Sequence, residues 1–315
     1  METITLGQNG PTVTPLCIGT WAWGDKLFWS YGDRYGEEQV QEAFTAALET
    51  GVTFFDTAEI YGLGLSEQLL GQFIQKAQKP VQIATKFGPL PWRFTGQSVS
   101  DALTDSLKRL QLERVELYQV HWPFAFFLSQ ETLMNTLADE VKRGRIGAVG
   151  VSNYSADQMR EAHQILAARG VPLAVNQVRY SLLSRQIESN GIFQTARELG
   201  VTILAYSPLA QGLLTGKYTP ELAETPTGAR RIDPRFNKEG LQKIAPVIDL
   251  LTSLGKKYDR TPAQVALNWL IAQGNVIPIA GVKTAQQVRQ NAGALGWKLN
   301  DDEISELEKA SRPWL

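Results

Sequence analysis

The sequence predicts one (β/α)8 barrel, a TIM barrel with an N-terminal β-hairpin and two extra helices, that spans residues 1–315 as a single domain. Three observations predict this fold. Short apolar strands alternate with amphipathic helices, the strand candidates number eight, and no linker or change of composition divides the chain. A length of 315 residues is also typical of one such barrel. A doubly wound sheet is the alternative, but it requires neither eight strands nor an opening hairpin.

The chain begins with two extended segments joined by a turn at residues 8–10, and this pattern predicts a β-hairpin over residues 3–18. Such a hairpin could close the lower end of a barrel. The eight strand candidates that follow are short, apolar and separated by helical segments. They are residues 18–21, 53–56, 81–86, 117–121, 148–151, 174–178, 202–206 and 276–280.

Apolar residues at helical spacing fill the intervals between the strands. Val40, Phe44 and Leu48 fall on one face before Gly51, a residue suited to end a helix. Similar stripes occur at residues 69–74 and 103–110. Further helices are predicted at 130–143, 156–168, 187–199, 261–273 and 284–292, and two more, near 239–257 and 301–310, fall outside the strict alternation.

The composition excludes several classes of protein. The formal net charge is −1 without long charged runs, so no nucleic-acid partner is expected. Cys17 is the one cysteine, which excludes an internal disulfide, and with two histidines it leaves too few soft ligands for a zinc site. No secretion signal and no apolar run of about 20 residues is present. We expect a soluble, cytoplasmic protein without a membrane partner or a metal.

Four chemically capable side chains lie at or just after successive strand ends. Asp56, Lys86 and His121 end the second, third and fourth predicted strands, and Tyr61 follows in the loop after Asp56. In a (β/α)8 barrel the carboxyl ends of the strands line the active face. Each residue has a structural alternative: the tyrosine could pack, the lysine could reach solvent, and the histidine could be a core residue. Their coincidence on one face favours a catalytic site.

These four residues suit proton donation to an oxygen that gains negative charge. A lysine beside a phenol favours phenolate and strengthens the acid, while Asp56 can hold Lys86 charged and in place. A neutral His121 can orient a carbonyl oxygen by a hydrogen bond. A general acid contributes about 10²–10⁴ in rate. None of the four is a redox centre, so an electron source must be bound.

The later strand ends suit a nicotinamide cofactor. Ser152, Asn153 and Gln177 can bond a carboxamide, and Tyr206 offers a face for ring stacking. The loop at 207–217 has glycines and small polar groups that could surround a pyrophosphate, although many barrel loops are glycine-rich for turn reasons. The predicted contacts in this loop are Ser207, Pro208, Leu209, Gln211, Gly212 and Lys217, and we add Gly19, Thr20, Trp21 and Asp56 to the cofactor set.

A second anion site is predicted where the eighth strand leads into a helix. Backbone N–H groups at Gly281 and Thr284, the helix dipole and Lys283 would suit the 2′-phosphate of NADP, and Gln287 and Asn291 lie further along the same helix to meet adenine. The Rossmann fingerprint is missing, so a dinucleotide must bind in another way.

The motifs around these residues resemble those of the aldo-keto reductases over essentially the whole chain. The family's Asp-Tyr-Lys-His tetrad corresponds to Asp56, Tyr61, Lys86 and His121. The resemblance implies a metal-free, usually monomeric barrel that binds extended NADPH and transfers hydride to an aldehyde or ketone, with Tyr61 as the proton donor. The motifs are FFDTAEIYG, GLSEQLLG, IATKFG, QVHWP, GVSNYS, NQVRYSLL, AYSPLAQGLLTGKY and IPIAGVKTAQQVRQNAGALGWKL.

Within the family, GTWAWGDKLFWSYG and the PWR after the third strand are most similar to a plant and cyanobacterial branch that contains pyridoxal reductase. This similarity suggests pyridoxal or another small or aromatic aldehyde as the substrate. The segment QVHWPFAFF and four tryptophans are expected to form an aromatic substrate pocket, although packing at the rim would explain them equally well. The four are Trp23, Trp29, Trp92 and Trp122.

Two other functions remain open from the sequence. Some members of the family keep the nucleotide site and the tetrad but serve chiefly as redox-sensing, nucleotide-binding regulatory subunits with little turnover. A barrel lyase or isomerase that uses Lys86 as a Schiff base is the third hypothesis, and the residues suited to a nicotinamide argue against it.

Overall fold

Eight parallel strands close into a barrel at the centre of the molecule. The computed structural model describes residues 2–124, 127–219, 230 and 233–315. Each barrel strand pairs in parallel with its neighbours in chain order, and the last strand pairs with the first. The predicted (β/α)8 barrel is therefore confirmed, and closure of the sheet excludes the doubly wound alternative.

All eight predicted strands are present, with ends that differ from the predicted ones by at most two residues. The first strand ends at Gly19 rather than Trp21, and the fourth ends one residue before His121. The strands are β3 (Cys17–Gly19), β4 (Phe54–Asp56), β5 (Gln82–Phe87), β6 (Val115–Val120), β7 (Ile146–Ser152), β8 (Leu173–Arg179), β9 (Thr202–Tyr206) and β10 (Val276–Gly281).

The predicted hairpin closes the barrel, although it is shorter than expected. It consists of β1 (Ile4–Thr5) and β2 (Thr12–Val13), paired antiparallel. Leu6 and Val13 are buried with apolar side chains of the barrel interior. Gly7 adopts φ +62°, and a Cβ there would lie 2.7 Å from the Cα of Ala174. Only glycine permits this close approach of the hairpin to the barrel.

The longer helices surround the barrel and bury an apolar face in its core, whereas the four-residue α1 has no buried residue. The predicted helix at 187–199 is interrupted, because Gly191 takes φ +86° and α7 begins only after it. A short helix capped by Asp25 was not predicted. The helices are α1 (Lys26–Trp29), α2 (Glu37–Glu49), α3 (Leu65–Ala77), α4 (Gly96–Leu110), α5 (Gln130–Lys142), α6 (Ala156–Ala167), α7 (Ile192–Leu199), α8 (Lys238–Tyr258), α9 (Pro262–Ala272), α10 (Ala285–Ala292) and α11 (Asp301–Ala310).

The two helices outside the alternation, α8 and α11, are present as predicted and pack against each other. Lys257 and Tyr258 near the end of α8 donate hydrogen bonds to Glu303 of α11 at 2.6 and 2.7 Å. In the part of the chain that the structure describes, no helix is long and apolar enough to cross a membrane.

Candidate active site

The four residues predicted to be catalytic meet at the carboxyl end of the barrel. Asp56 is the last residue of β4, Lys86 is the last but one of β5, and His121 follows β6 directly. Tyr61 begins a short 3₁₀ turn in the loop after β4. Because parallel strands point their carboxyl ends to one face, side chains far apart in the chain come together here.

Lys86 lies at the centre of the group and uses all three of its N–H donors. Its Nζ is 2.5 Å from Asp56 Oδ1, and it donates to the backbone oxygen of Thr57 at 2.8 Å and to Tyr61 Oη at 3.2 Å. The side chain is fully buried. Burial alone would lower the pKa of Lys86, but Asp56 and Tyr61 raise it above its ordinary value. The lysine is therefore charged, and Tyr61 accepts from it.

Because Tyr61 Oη accepts a hydrogen bond from Lys86, the phenolic proton is left to donate elsewhere. Burial raises the pKa of Tyr61 above its ordinary value, Lys86 lowers it in part, and Asp56 raises it again. The prediction that Lys86 depresses the pKa of Tyr61 below its ordinary value is wrong, because desolvation outweighs the nearby cation. The phenol stays protonated at neutral pH, which is the form that a proton donor requires.

Two amide side chains hold the second oxygen of Asp56. Gln119 and Gln177 donate to Asp56 Oδ2 at 3.1 and 2.9 Å, and Gln177 also donates to Gln119 Oε1 at 3.1 Å. Asp56 thus accepts three hydrogen bonds that fix its orientation toward Lys86. Gln119 was not among the site residues predicted from the sequence. It precedes His121 by two residues, and this period of two on a strand was the signal that could have identified it.

The loop that carries Tyr61 is held by a close contact with the loop after β3. Gly62 adopts φ +56°, and a Cβ at this position would lie 2.7 Å from the backbone oxygen of Gly24. The Tyr61 N–H donates to the Ala58 oxygen at 3.0 Å. The ring of Trp21 stacks over Tyr61 with centroids 6.1 Å apart. Trp21, predicted to contact the cofactor, is thus placed beside the phenol.

His121 lies edge-on to Tyr61, with ring centroids 5.7 Å apart, and stacks on Trp122 at 4.2 Å. Burial, assisted by the positive charge of Lys86, lowers the pKa of His121 to about 2. The imidazole is therefore neutral across the physiological range. Its Nδ1 is buried and has no hydrogen-bond partner among the described residues.

The low pKa of His121 predicts a loss of stability in acid. Its folded-state pKa of about 2 lies below the ordinary value of 6.5, so between these values the unfolded chain binds one proton more at this residue. The stabilisation is complete above the ordinary value and is lost as pH falls. We expect the free energy of unfolding to drop by up to about 1.4 kcal/mol per pH unit from this residue.

Urea unfolding at about pH 7, 6 and 5 measures this dependence. His121→Gln should reduce the slope of the unfolding free energy against pH by an amount close to one bound proton. His163→Gln removes the other histidine of the chain, which lies on α6, and serves as the matched control. An unchanged slope in His121→Gln would mean that the imidazole is not held neutral.

The residues predicted to bind nicotinamide form a connected network. Ser152 donates to the Gln177 backbone oxygen at 2.9 Å, and Tyr206 donates to Asn153 Oδ1 at 3.0 Å. Asn153 takes φ +61° and donates to Ser152 Oγ at 3.1 Å. Both N–H groups of Gln177 are used by Asp56 and Gln119, so toward a carboxamide it presents its side-chain oxygen. Thr20 is fully buried and donates to the Asp56 backbone oxygen at 3.0 Å.

The predicted pyrophosphate loop has a strained backbone. Ser207, Ala210 and Gln211 are non-glycine residues with φ of +52°, +47° and +57°, and Gly212 follows at +102°. Such left-handed positions are costly and concentrate at binding sites. Gln211 Oε1 is buried without a partner among the described residues. Lys217 is exposed at the end of the loop.

Lys283 stands at the start of α10, and its surroundings are cationic and aromatic. Its Nζ lies 4.7 Å from the ring centre of Trp29 and 4.8 Å from that of Tyr35. Burial, with Arg230 and Arg34, lowers the pKa of Lys283 to about 8. The two arginines were missed by the sequence analysis, because they are remote from Lys283 along the chain. Thr284 caps α10, Gln287 Oε1 accepts from Lys283 N at 2.7 Å, and Asn291 is buried.

The four tryptophans predicted for the substrate pocket occupy different places. Trp23 is fully buried, packs against Phe73 and donates to the Val282 oxygen at 2.9 Å, so it is corrected to a core residue. Trp29 lies against Lys283, on the side of the predicted cofactor site. Trp29 also meets Trp21 edge-on, with ring centroids 5.4 Å apart, so it stays a candidate for the substrate side together with Trp122, stacked on His121, and the exposed Trp92.

Large apolar side chains surround the mouth of the site. They belong to the loops that follow the first four barrel strands. Two residues of the predicted aromatic segment QVHWPFAFF, Ala125 and Phe126, lie outside the described residues. We call this set the apolar rim. It consists of Trp21, Leu27, Phe28, Leu63, Trp92, Phe94, Phe124 and Phe127.

The fold and the site together define a barrel enzyme with a proton-donating pocket at its carboxyl face. The chain belongs to the aldo/keto reductase family, whose model matches residues 15–312. It is an NADP-dependent oxidoreductase, and the family supports reduction of carbonyl compounds.

Named relatives extend over nearly the whole chain. It is 42% identical to the chloroplastic pyridoxal reductase of Arabidopsis thaliana, over 97% of this chain and 85% of that protein. It is 34% identical to the aldo-keto reductase yakc of Schizosaccharomyces pombe, whose name specifies NADP(+), over 87% of this chain and 83% of that protein. The solved structure of a glycerol dehydrogenase from Gluconobacter oxydans superposes with a TM-score of 0.86 at 28% identity, covering 100% and 96% of the two chains.

Proposed function

We propose that the protein reduces an aldehyde or ketone to the alcohol with NADPH, and that Tyr61 supplies the proton. The single observation that carries this proposal is the hydrogen bond from the buried, charged Lys86 to Tyr61 Oη. It leaves the phenolic proton directed to another acceptor and places a cation where phenolate would form. Bound NADPH supplies the hydride to the carbonyl carbon.

Each member of the tetrad has a role in this proposal. Tyr61 transfers its proton to the carbonyl oxygen as that oxygen gains negative charge, and Lys86 stabilises the resulting phenolate. Asp56, held by Gln119 and Gln177, keeps Lys86 in position. The neutral imidazole of His121 donates a hydrogen bond that orients the carbonyl oxygen toward Tyr61.

Support for NADPH over NADH comes from the charges around Lys283. Lys283, Arg34 and Arg230 interact electrostatically as three cations at the start of α10, where helix N–H groups add to the positive potential. We assign this group, with Gly281 and Thr284, to the 2′-phosphate, and Gln287 and Asn291 to the adenine side. The strained loop from Ser207 to Lys217 is assigned to the pyrophosphate. Ser152, Asn153, Gln177 and Tyr206 are assigned to the nicotinamide end, together with Gly19 at the end of β3.

Lys283→Ala should weaken NADPH binding by about 10–100-fold and leave NADH binding nearly unchanged, because only NADPH carries the phosphate. Titration of protein fluorescence with each cofactor measures both dissociation constants. Lys298→Ala, which removes an exposed lysine paired with Glu2, is the matched control. Equal losses for the two cofactors would contradict the assignment of Lys283 to the phosphate.

For the substrate we propose pyridoxal or another small or aromatic aldehyde. Support comes from the name of the Arabidopsis relative and from the aromatic rings of Trp21 and Trp122 beside Tyr61 and His121. The rim adds apolar surface on the same side of the site.

Nicotinamide absorbance with NADPH or NADH and a panel of aldehydes and ketones, including pyridoxal, tests the proposed function. Rapid NADPH oxidation with one clear best substrate is the expected result. Cofactor binding without turnover would point to a regulatory subunit, and reaction without nicotinamide, with borohydride trapping on Lys86, to a Schiff-base enzyme. Light scattering on the same sample tests the expectation of a monomer.

A further inference from the structure

Two loops at the mouth of the site are joined by one ion pair, between Arg93 and Glu59. Arg93 Nη1 and Nη2 donate to Glu59 Oε1 and Oε2 at 2.5 and 2.8 Å. Nη1 also donates to the backbone oxygen of Gly88 at 2.7 Å, and the Gly88 N–H donates to Glu59 Oε1 at 2.5 Å. The two side chains are only 17% and 8% exposed. The pair is therefore bidentate, largely buried and tied to the backbone.

The residues on either side of this pair belong to the active site and its rim. Glu59 lies two residues before Tyr61, in the loop after β4. Arg93 stands between Trp92 and Phe94 of the rim, which are 66% and 55% exposed while the arginine between them is turned inward. Phe94 in turn contacts Phe127, with ring centroids 5.5 Å apart.

The geometry requires an arginine. The planar guanidinium meets both carboxylate oxygens at once, and it lies 4.9 Å from the ring centre of Phe87 at the end of β5. A lysine ammonium also has three donors, but they diverge from one nitrogen and cannot form the two parallel N–H···O bonds that the guanidinium makes with the Glu59 carboxylate. Arg93 of the PWR segment is therefore held by specific hydrogen bonds to Glu59 and Gly88 and is not an unpaired surface charge.

We propose that Arg93 and Glu59 are positioning residues that hold the rim residues Trp92 and Phe94 at a fixed distance from Tyr61, and so select carbonyl substrates with a large apolar body. The proposal rests on the proposed function. A small aldehyde reaches Tyr61 without touching Trp92 or Phe94, so its reduction does not depend on the pair. An extended aromatic aldehyde lies against the rim, so its binding does.

Steady-state kinetics with propanal and 2-naphthaldehyde distinguish a loss of selectivity for large apolar substrates from a general loss of catalytic activity. In Arg93→Ala we expect kcat/KM for 2-naphthaldehyde to fall by about tenfold or more, chiefly through KM, while that for propanal stays within about twofold. Arg93→Lys should recover only part of the loss, because an ammonium keeps the charge but lacks the planar pair of donors that meets both carboxylate oxygens. Arg160→Ala, which removes a partly exposed arginine paired with Glu198 on α7, is the matched control.

Chymotrypsin cleavage provides a readout that needs no turnover. It cuts after aromatic residues, and Trp92 and Phe94 are cleavable only when their loop opens locally. Arg93→Ala should be cut there about tenfold faster than the wild type. Equal kinetic losses for both aldehydes, or unchanged cleavage, would overturn the proposal. If the wild type reduces neither aldehyde, the proposed function and the selection that rests on it both fail, whereas the cleavage assay still decides whether the pair holds the loop.

Discussion

Replacing Tyr61 by phenylalanine is expected to lower kcat by about 10²–10⁴, the usual contribution of a general acid, with NADPH affinity unchanged within about twofold. The substitution removes only the hydroxyl that accepts from Lys86, and the ring that stacks with Trp21 remains. Single-turnover oxidation of NADPH with the best aldehyde of the panel measures the chemical step apart from product release.

The matched control is Tyr258→Phe, a tyrosine at the end of α8 whose hydroxyl donates to Glu303 of α11. It should retain the turnover of the wild type within about tenfold. Full activity in Tyr61→Phe would refute the assignment of the proton donor. A matching loss of NADPH affinity would show that the hydroxyl serves the cofactor instead.

Asp56→Asn is expected to destabilise the protein by about 3–5 kcal/mol, because it leaves the charge of Lys86 buried without a carboxylate. Lys86→Met should destabilise the protein by a similar amount, since the Asp56 carboxylate then keeps only the amide donors of Gln119 and Gln177. The double variant Asp56→Asn/Lys86→Met should recover much of the stability, because no unpaired charge remains. None of the three should reduce a carbonyl at a rate near that of the wild type.

Urea unfolding of the wild type, both single variants and the double variant forms a complete cycle. The control cycle removes Arg289 and Glu49, an ion pair that is more than half exposed, and should give a coupling energy of about 0.2–1 kcal/mol. Additive losses at Asp56 and Lys86 would contradict a coupled buried pair. Activity in the double variant would show that the pair serves folding alone.

The residues of the tetrad could be predicted from the sequence because the fold repeats a local rule. Each barrel strand is a short apolar run followed by a helix with an apolar stripe, and the sequence alone reveals both patterns. Once eight such units are recognised, parallel pairing puts Asp56, Lys86 and His121 on one face. Tyr61 follows, because it lies a few residues after a strand end.

Local periodicity fails where the regular elements end. The first strand was expected to continue to Trp21 but ends at Gly19, so alternation does not decide which of the following aromatic side chains is buried. Trp23 goes into the core, whereas Trp21 lies over Tyr61. The break before α7 at Gly191 is a similar case, since the apolar pattern continues through a residue with a left-handed backbone.

The sequence by itself determined the barrel, the order of its strands and the four side chains with acid–base chemistry, because short-range periodicity and residue type are enough for these. Only the tertiary structure decided that Gln119 supports Asp56, that Arg34 and Arg230 act on Lys283, and that burial raises the pKa of Tyr61 above its ordinary value. Hydrogen-bond partners and burial depend on residues distant in the chain. Desolvation, which outweighs Lys86 at Tyr61, is a property of the packed environment and not of any local segment.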